Sequence, residues 1–387
     1  MSETASDRPS TKTLSVVVVS HAYNGPGRLE PFSELAKHVN LTLVGPAQHP
    51  NGTLTKATSI GGTGSMAVIP LRALHVGRSQ FLMRNLRRTL RAGNPDVVCI
   101  EYDPWHLQFL QVILTLRVVR SRARIVLVVK KNTYRAPSSF VGRLKRMVSA
   151  WGVSRSSAII AASEMTRDMY IRELGAPVSS IVVQPHLAVD VTRFQPVRRE
   201  AGCRPLRIGF VGKIGATKGV PELVTAFDQV RQHSDIAVEL WMAGSLNDPD
   251  MRHTIASSRS VHHAGLIDNN RLHEFLADID VFVMPARKLP DHQEHDGRAV
   301  LEAMSAGIPC VVSDSGILPE LVSSAEGRVF AAGNASGLAQ CLEELIGSAE
   351  LRSELGIRAR QRALSTVSPD VLSAERVAIF NKTLEVS

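Results

Sequence analysis

Between positions 298 and 313 the chain reads helix, stop and buried strand in quick succession, and few folds accommodate that. Spacing predicts a helix over about 298–306. It ends at Gly307-Ile308-Pro309, a stop signal, and passes at once into the apolar strand Pro309-Cys310-Val311-Val312-Ser313. The same alternation recurs throughout. Short apolar runs stand at 14–19, 41–44, 97–100, 125–129, 158–163 and 181–183, and again at 206–211, 238–242, 261–263 and 281–284. Helical patterns lie between many of them. One helix is expected over 81–91, with Leu82, Leu86 and Leu90 on one face and Arg84, Arg87, Arg88 and Arg91 over much of the rest. Another is expected over 140–151, with Val141, Leu144, Val148 and Trp151 inward. Such alternation argues an α/β fold built on parallel sheets.

At 387 residues the chain exceeds one ordinary core, so two domains are expected. We read 1–13 as a disordered tail without the apolar core of a signal peptide, and 14–195 as a first Rossmann-like domain. The lapse of pattern between Pro196 and Pro205 marks a linker over 196–205. A second Rossmann-like domain follows over 206–368, and a helix over 369–387 is free to pack back on the first. No run of apolar residues reaches the ~18 needed to span a bilayer. Cys99, Cys203, Cys310 and Cys341 show no CxxC spacing. Cys99 and Cys310 sit in strand-like runs, which suits core positions in a reducing, cytoplasmic compartment.

Charge is unevenly divided. Residues 1–200 hold 27 Lys/Arg against 12 Asp/Glu, whereas 201–387 hold 18 against 24. A basic first half suits nucleic acid, an anionic membrane or an acidic substrate. Only 5% of residues are aromatic and no nucleic-acid motif is present, which disfavours the first. An arginine-studded helix is either a solvated helix packed by its leucines or a peripheral contact with the anionic inner face of a membrane.

The chemistry-bearing residues gather in the second half. Glu294 precedes Asp296-Gly297, and Gly297 breaks any helix joining Glu294 to Glu302. A carboxylate therefore sits at a helix mouth with free N–H groups behind it and a second carboxylate just inside. Amides and dipole suit phosphate there, and carboxylates suit sugar hydroxyls. Upstream, Gly212-Lys213-Ile214-Gly215-Ala216-Thr217-Lys218-Gly219 lacks the GxxxxGK[ST] pattern of a P-loop. Its two lysines on a turn past a strand still form a clamp for a diphosphate. Asp248-Pro249-Asp250 and Asp278-Ile279-Asp280 match Asp-x-Asp, but both stand at element ends and read as caps or loop charges. With His292 and His295 outside any compact ligand spacing, no metal and no cofactor are expected.

Taken together, Gly212-Lys213, Lys218-Gly219, Glu294 and Glu302 eight apart, and Ala303-Met304-Ser305-Ala306-Gly307-Ile308-Pro309 resemble the donor-binding half of retaining glycosyltransferases of family 4. Val189-Asp190 followed by Phe194 and Pro196 resembles that family's hinge. The resemblance implies a GT-B fold, two Rossmann-like domains facing across a cleft. It implies transfer of a hexosyl-type sugar from a nucleotide-diphosphate-sugar to a sugar or lipid-linked hydroxyl acceptor, with retention and without metal, in polysaccharide or glycolipid biosynthesis. On this likeness Lys213 and Lys218 meet the diphosphate, Glu294 the sugar hydroxyls and Glu302 the ribose. Gly212, Gly297 and the N–H groups of Arg298 and Ala299 line the donor, and Leu266 and Ile267 lie where backbone reads the base. Gly25, Gly27, Arg28, Lys131 and Asn132 fall on the acceptor side. Glu320 matches a recurrent acid without an assigned role. Two departures stand out: Asp296 where an aromatic is common, and Lys131-Asn132 where many members carry His. The open alternatives are a nucleotide-sugar epimerase of the same fold and a non-catalytic sugar-nucleotide-binding protein.

Overall fold

The computed structural model describes residues 13–21, 29–48, 58–60, 65–76, 80–131, 139–197, 204–290 and 293–385. The expected tail (but for Thr13), most of the linker, and Gly25, Gly27, Arg28, Asn132 and His292 lie outside them. The chain forms two compact units. One gathers the residues up to Val128, Met147–Ile159 and the chain from Ser373 on; the other holds Val129–Arg146 and Ile160–Leu372.

In chain order the strands are β1 (Ser15–Val19), β2 (Asn40–Pro46), β3 (Thr58–Ile60), β4 (Met66–Leu71), β5 (Ala73–His75), β6 (Phe81–Met83), β7 (Val97–Ile100) and β8 (Arg124–Val129). They continue with β9 (Ala158–Ala161), β10 (Ile181–Val183), β11 (Leu206–Val211), β12 (Val238–Ala243), β13 (Val261–His263), β14 (Val281–Met284), β15 (Cys310–Ser313) and β16 (Gly327–Phe330). The eight-stranded sheet has the order β10-β9-β8-β7-β1-β2-β4-β3. β1 pairs in parallel with both β2 and β7, while β3 lies antiparallel on β4. Val16 to Val19 are all buried, as apolar side chains on both faces of a covered strand must be.

The six-stranded sheet has the order β13-β12-β11-β14-β15-β16, and every pair is parallel. Counted from its first strand, that is the doubly wound order 3-2-1-4-5-6. Its direction reverses between β11 and β14, so ligands are expected outside the carboxyl ends of those two strands. The helix Val220–His233 shows why the sequence folds this way. Pro221 opens it, and Val220, Leu223, Val224, Phe227 and Val230 recur at helical spacing and are buried. Phe227 lies in one core with Phe210 of β11 and Phe282 of β14. Removing such a ring costs about 3–5 kcal/mol.

Two helices differ from expectation. The 81–91 segment is not one helix: β6 is followed by Asn85 in a left-handed conformation (φ 65°) and the helix Leu86–Gly93. Phe81 and Met83 point inward and Leu82 outward, because β5 and β6 form an antiparallel hairpin of period two. Leu86 and Leu90 are buried as expected. In the helix Phe140–Ser154, Val141 and Leu144 are exposed and Ser149, Gly152 and Val153 are buried instead. Gly152 lies so close to Phe109 and Pro104 that any Cβ there would collide with Phe109. Small residues, not the large apolar ones, seat this helix.

The last helix is Pro369–Glu385, and from Ser373 it counts with the first unit. Arg376 stands 3.7 Å from Glu101.

Candidate active site

The site grows from the loops that leave β11, β14 and β15, all within the second unit. After β11 the chain makes the turn Ala216–Lys218, and Gly219 follows at φ 69°. Gly219 packs against the carbonyl of Pro285, just past β14, where a Cβ would overlap that oxygen. Only glycine meets both demands. Arg287 N–H donates to the Thr217 carbonyl at 3.1 Å, fixing the loops together. The loop beyond β15 closes the other side. Ser313 Oγ donates to Ala286 O at 2.6 Å, Ser315 Oγ to Arg287 O at 2.9 Å, and Ile317 N–H to Glu294 O at 3.1 Å. Gly316, at φ 57°, lies against the Glu294 carbonyl.

This framework brings Lys218 and Glu294, 76 residues apart, to an Nζ–Oε2 distance of 2.5 Å. Both are largely shielded, the Glu294 side chain at 10% exposure. Removing one member of such a pair strands the other, at roughly 3–5 kcal/mol when burial is complete. Glu294 Oε1 also accepts from Gly297 N–H at 3.4 Å. Gly297, at φ 58°, heads the helix Arg298–Ser305, and no side chain caps that helix. The N–H groups of Arg298 and Ala299 thus open the first turn at its positive end.

Glu302 lies one turn further in and is buried. Burial pushes its carboxyl up to about 7, against the pull of Arg298, 3.7 Å away, and of Arg193. Asp296, the departure flagged above, is matched: His186 Nε2 stands 3.0 Å from its carboxylate. The hydrogen bond from His186 holds that carboxyl down at about 2, opposed by burial and helped by Lys130.

The stretch that the resemblance assigns to the base is built of backbone contacts. Gly244, after β12, donates to Gly265 O at 2.8 Å, and its carbonyl meets the His263 ring at 2.9 Å. Gly212 N–H is committed to Ala243 O at 2.9 Å, so it has no N–H to offer a ligand. Leu266 and Ile267 follow Gly265, with Leu266 81% exposed.

Glu294, Lys218, Gly297, Arg298, Ala299 and Glu302 therefore converge. Lys213 sits exposed on the same loop as Lys218, with no side-chain partner among the described residues. Lys131 is exposed past β8, and its neighbour Lys130 is the one felt by Asp296. Glu320 serves elsewhere: its carboxylate accepts from the N–H groups of Glu164 and Met165 at 2.7 and 2.9 Å, capping the helix Glu164–Leu174. Asp248 caps the helix Pro249–Ser257, and Asp280 pairs with Arg204 at 2.8 Å, so both Asp-x-Asp matches have structural duties. Sequence reasoning missed His186 as the partner of Asp296. It also missed Arg360, which donates to the carbonyls of Val191, Phe194 and Ser305 and so ties the 191–194 segment to the end of the Glu302 helix.

Two family models match the chain: a glycosyl transferase 4-like domain over residues 15–186 and glycosyl transferases group 1 over 197–362. A glycogen synthase from Mycobacterium tuberculosis is 26% identical over 234 residues, 59% of this chain and 55% of its own. A GDP-mannose-dependent monoacylated alpha-(1-6)-phosphatidylinositol monomannoside mannosyltransferase from Corynebacterium glutamicum is 27% identical over 185 residues, 44% of this chain and 49% of its own. The chain thus spans about half the length of the curated relatives it matches. Among solved structures, a Rickettsia africae glycosyltransferase superposes with TM-score 0.73 at 15% identity, covering 97% of this chain and all of its own. Anabaena HepE in complex with UDP superposes at 0.71 with 14% identity, covering 96% of this chain and all of its own. At such identities the likeness is one of fold, that of GT-B glycosyltransferases with two Rossmann-like domains. Sheet order, site loops and both family models lead to one placement: the chain belongs to the group 1 glycosyl transferases.

Proposed function

We propose that this chain moves a sugar from a nucleotide-diphosphate-sugar to a hydroxyl acceptor, with retained anomeric configuration and no metal. The observation that carries the reading is the Lys218–Glu294 pair at the uncapped mouth of the Glu302 helix. A diphosphate arriving there meets Lys218 and the first-turn N–H groups. Glu294, released from Lys218, turns its carboxylate to sugar hydroxyls, and Glu302 accepts from the ribose. Lys218, with Lys213 reaching in from the same loop, supplies the positive charge that would otherwise fall to a metal. One such donor aimed at developing charge is typically worth ~3–4 kcal/mol.

Glu294 is committed to sugar hydroxyls in this reading, and retention comes from front-face displacement. The acceptor oxygen bonds to the anomeric carbon on the face the diphosphate leaves, and its proton passes to the departing phosphate. A related fold solved with UDP-glucose supports a nucleotide-sugar donor, and relatives named as mannosyltransferases and glycogen synthase support polysaccharide or glycolipid products. Among the described residues no helix is long and apolar enough to cross a membrane. Work on the cytoplasmic side, at the membrane surface where a lipid-linked acceptor resides, is part of the proposal.

The test is nucleotide release from a panel of nucleotide-sugars, with and without membrane extract and with chelator present throughout. Acceptor-dependent release that survives chelation is expected. Glu294→Ala and Lys218→Ala should each lower it by at least a hundredfold. Wild-type rates from both variants would refute the site, and donor conversion without acceptor would mark an epimerase.

A further inference from the structure

The basic charge of the first half of the sequence is itself concentrated. From position 35 to 163 there are 19 Lys/Arg and three acids, Asp96, Glu101 and Asp103; from 104 to 163 there is no acid at all. The structure sets an apolar surface among these charges. Leu74 of β5 and Leu82 of β6 are direct cross-strand partners on the outer face of the hairpin, 55% and 38% exposed. The helix Leu107–Val118 runs along the hairpin's edge. Its Gln111 side chain accepts from Met83 N–H at 2.9 Å and donates to Met83 O at 2.7 Å. Leu114 and Val118, three and seven residues beyond Gln111, share that side of the helix and are 55% and 59% exposed. Arg84, Arg87 and Arg88 follow directly on β6 and are exposed.

Four exposed aliphatic side chains on the hairpin and on the helix bonded to its edge, with three exposed arginines next in the chain, make the composition of a surface that lies in a lipid interface. Apolar groups enter the acyl boundary while guanidinium groups meet headgroup phosphates. The helix Leu86–Gly93 that carries Arg87 and Arg88 does not supply apolar groups to this surface, because its Leu86 and Leu90 are spent on the core. We infer that the β5–β6 hairpin and the adjoining helix form a docking surface for an anionic lipid bilayer, with Leu74, Leu82, Leu114 and Val118 inserted and Arg84, Arg87 and Arg88 on the headgroups. It deepens the membrane-surface part of the proposed function and rests on it, while none of the donor-site residues takes part.

Flotation of the purified full chain with vesicles tests it. Vesicles of phosphatidylcholine alone are compared with vesicles containing a third phosphatidylglycerol, at low and high salt. Binding only to anionic vesicles is expected. Leu74→Ser with Leu82→Ser should weaken it at least tenfold at low salt, and Arg84→Glu, Arg87→Glu and Arg88→Glu together should abolish it. Both variants should keep the wild-type melting temperature and nucleotide affinity, which separates this test from that of the transfer site. No flotation with anionic vesicles overturns the proposal. So does flotation untouched by the leucine changes, which would leave a merely electrostatic surface, or exposed leucines found covered by a second copy of the chain in solution.

Discussion

Glu302→Gln gives the sharpest prediction. Glu302 has an ordinary carboxyl value of 4.5, pushed to about 7 by burial in the folded chain. Arg298 opposes the shift but is 46% exposed and 3.7 Å away, a geometry worth only ~0.5 kcal/mol, so burial wins. Below 4.5 the group is protonated both folded and unfolded, and nothing is lost. Between 4.5 and 7 the unfolded chain gives up the proton while the folded chain keeps it, so stability falls as pH rises. Above 7 the loss levels off. At ~1.4 kcal/mol per unit, a gap of about 2.5 units costs roughly 3 kcal/mol at the plateau. The neutral isostere Gln escapes this. The variant should therefore match the wild type in melting temperature near pH 4.5, gain steadily to pH 7, and stay several degrees ahead above it, at roughly 2–4 °C per kcal/mol. On the proposed role of Glu302 toward the ribose, the same change should weaken nucleotide binding most at pH 8, where the wild-type carboxylate is ionised. Thermal melts of both proteins from pH 4.5 to 9 decide it. A difference that does not vary with pH, or a variant less stable at high pH, would refute the burial argument.

Two further outcomes are expected. Gly219→Ala forces a side chain into the left-handed region and onto the Pro285 carbonyl, so it should cost about 3 kcal/mol or more, from strain of 1–3 kcal/mol plus the collision. Donor affinity should fall with it, because that contact sets the spacing of the Lys218 and Glu294 loops; denaturant melts and nucleotide titration check both. Arg360→Met leaves three carbonyls without their donor, at about 1.5–3 kcal/mol for each bond to a charged group if fully expressed. Its chemical denaturation midpoint should drop while Arg360→Lys recovers part of the loss, and an unchanged midpoint would remove Arg360 from any positioning role.

How much of this was legible in the sequence divides along a physical line. Strands such as β11, β12 and β14 announce themselves because apolar runs are local, and the helix of Glu302 was marked at both ends by Gly297 and by Gly307-Ile308-Pro309. The β5–β6 hairpin was not, since its two strands are three residues each and Leu82 happened to continue a helical spacing with Leu86 and Leu90. Nor was the seat of the helix Phe140–Ser154, which depends on Gly152 meeting Phe109 and not on its large side chains.

At the site, residue types were readable but partners were not. Lys218 finds Glu294 across 76 positions, and Glu320 reaches N–H groups 156 positions away, which no spacing rule can supply. Asp296 shows why this matters. By itself an acid beside a phosphate-binding helix mouth reads as a defect, since its field repels the ligand the amides attract. His186, 110 residues upstream, stands 3.0 Å from its carboxylate as a hydrogen-bond partner, and Lys130 also lowers its carboxyl. A residue that breaks a local rule is therefore weak evidence of lost function until its partner is known.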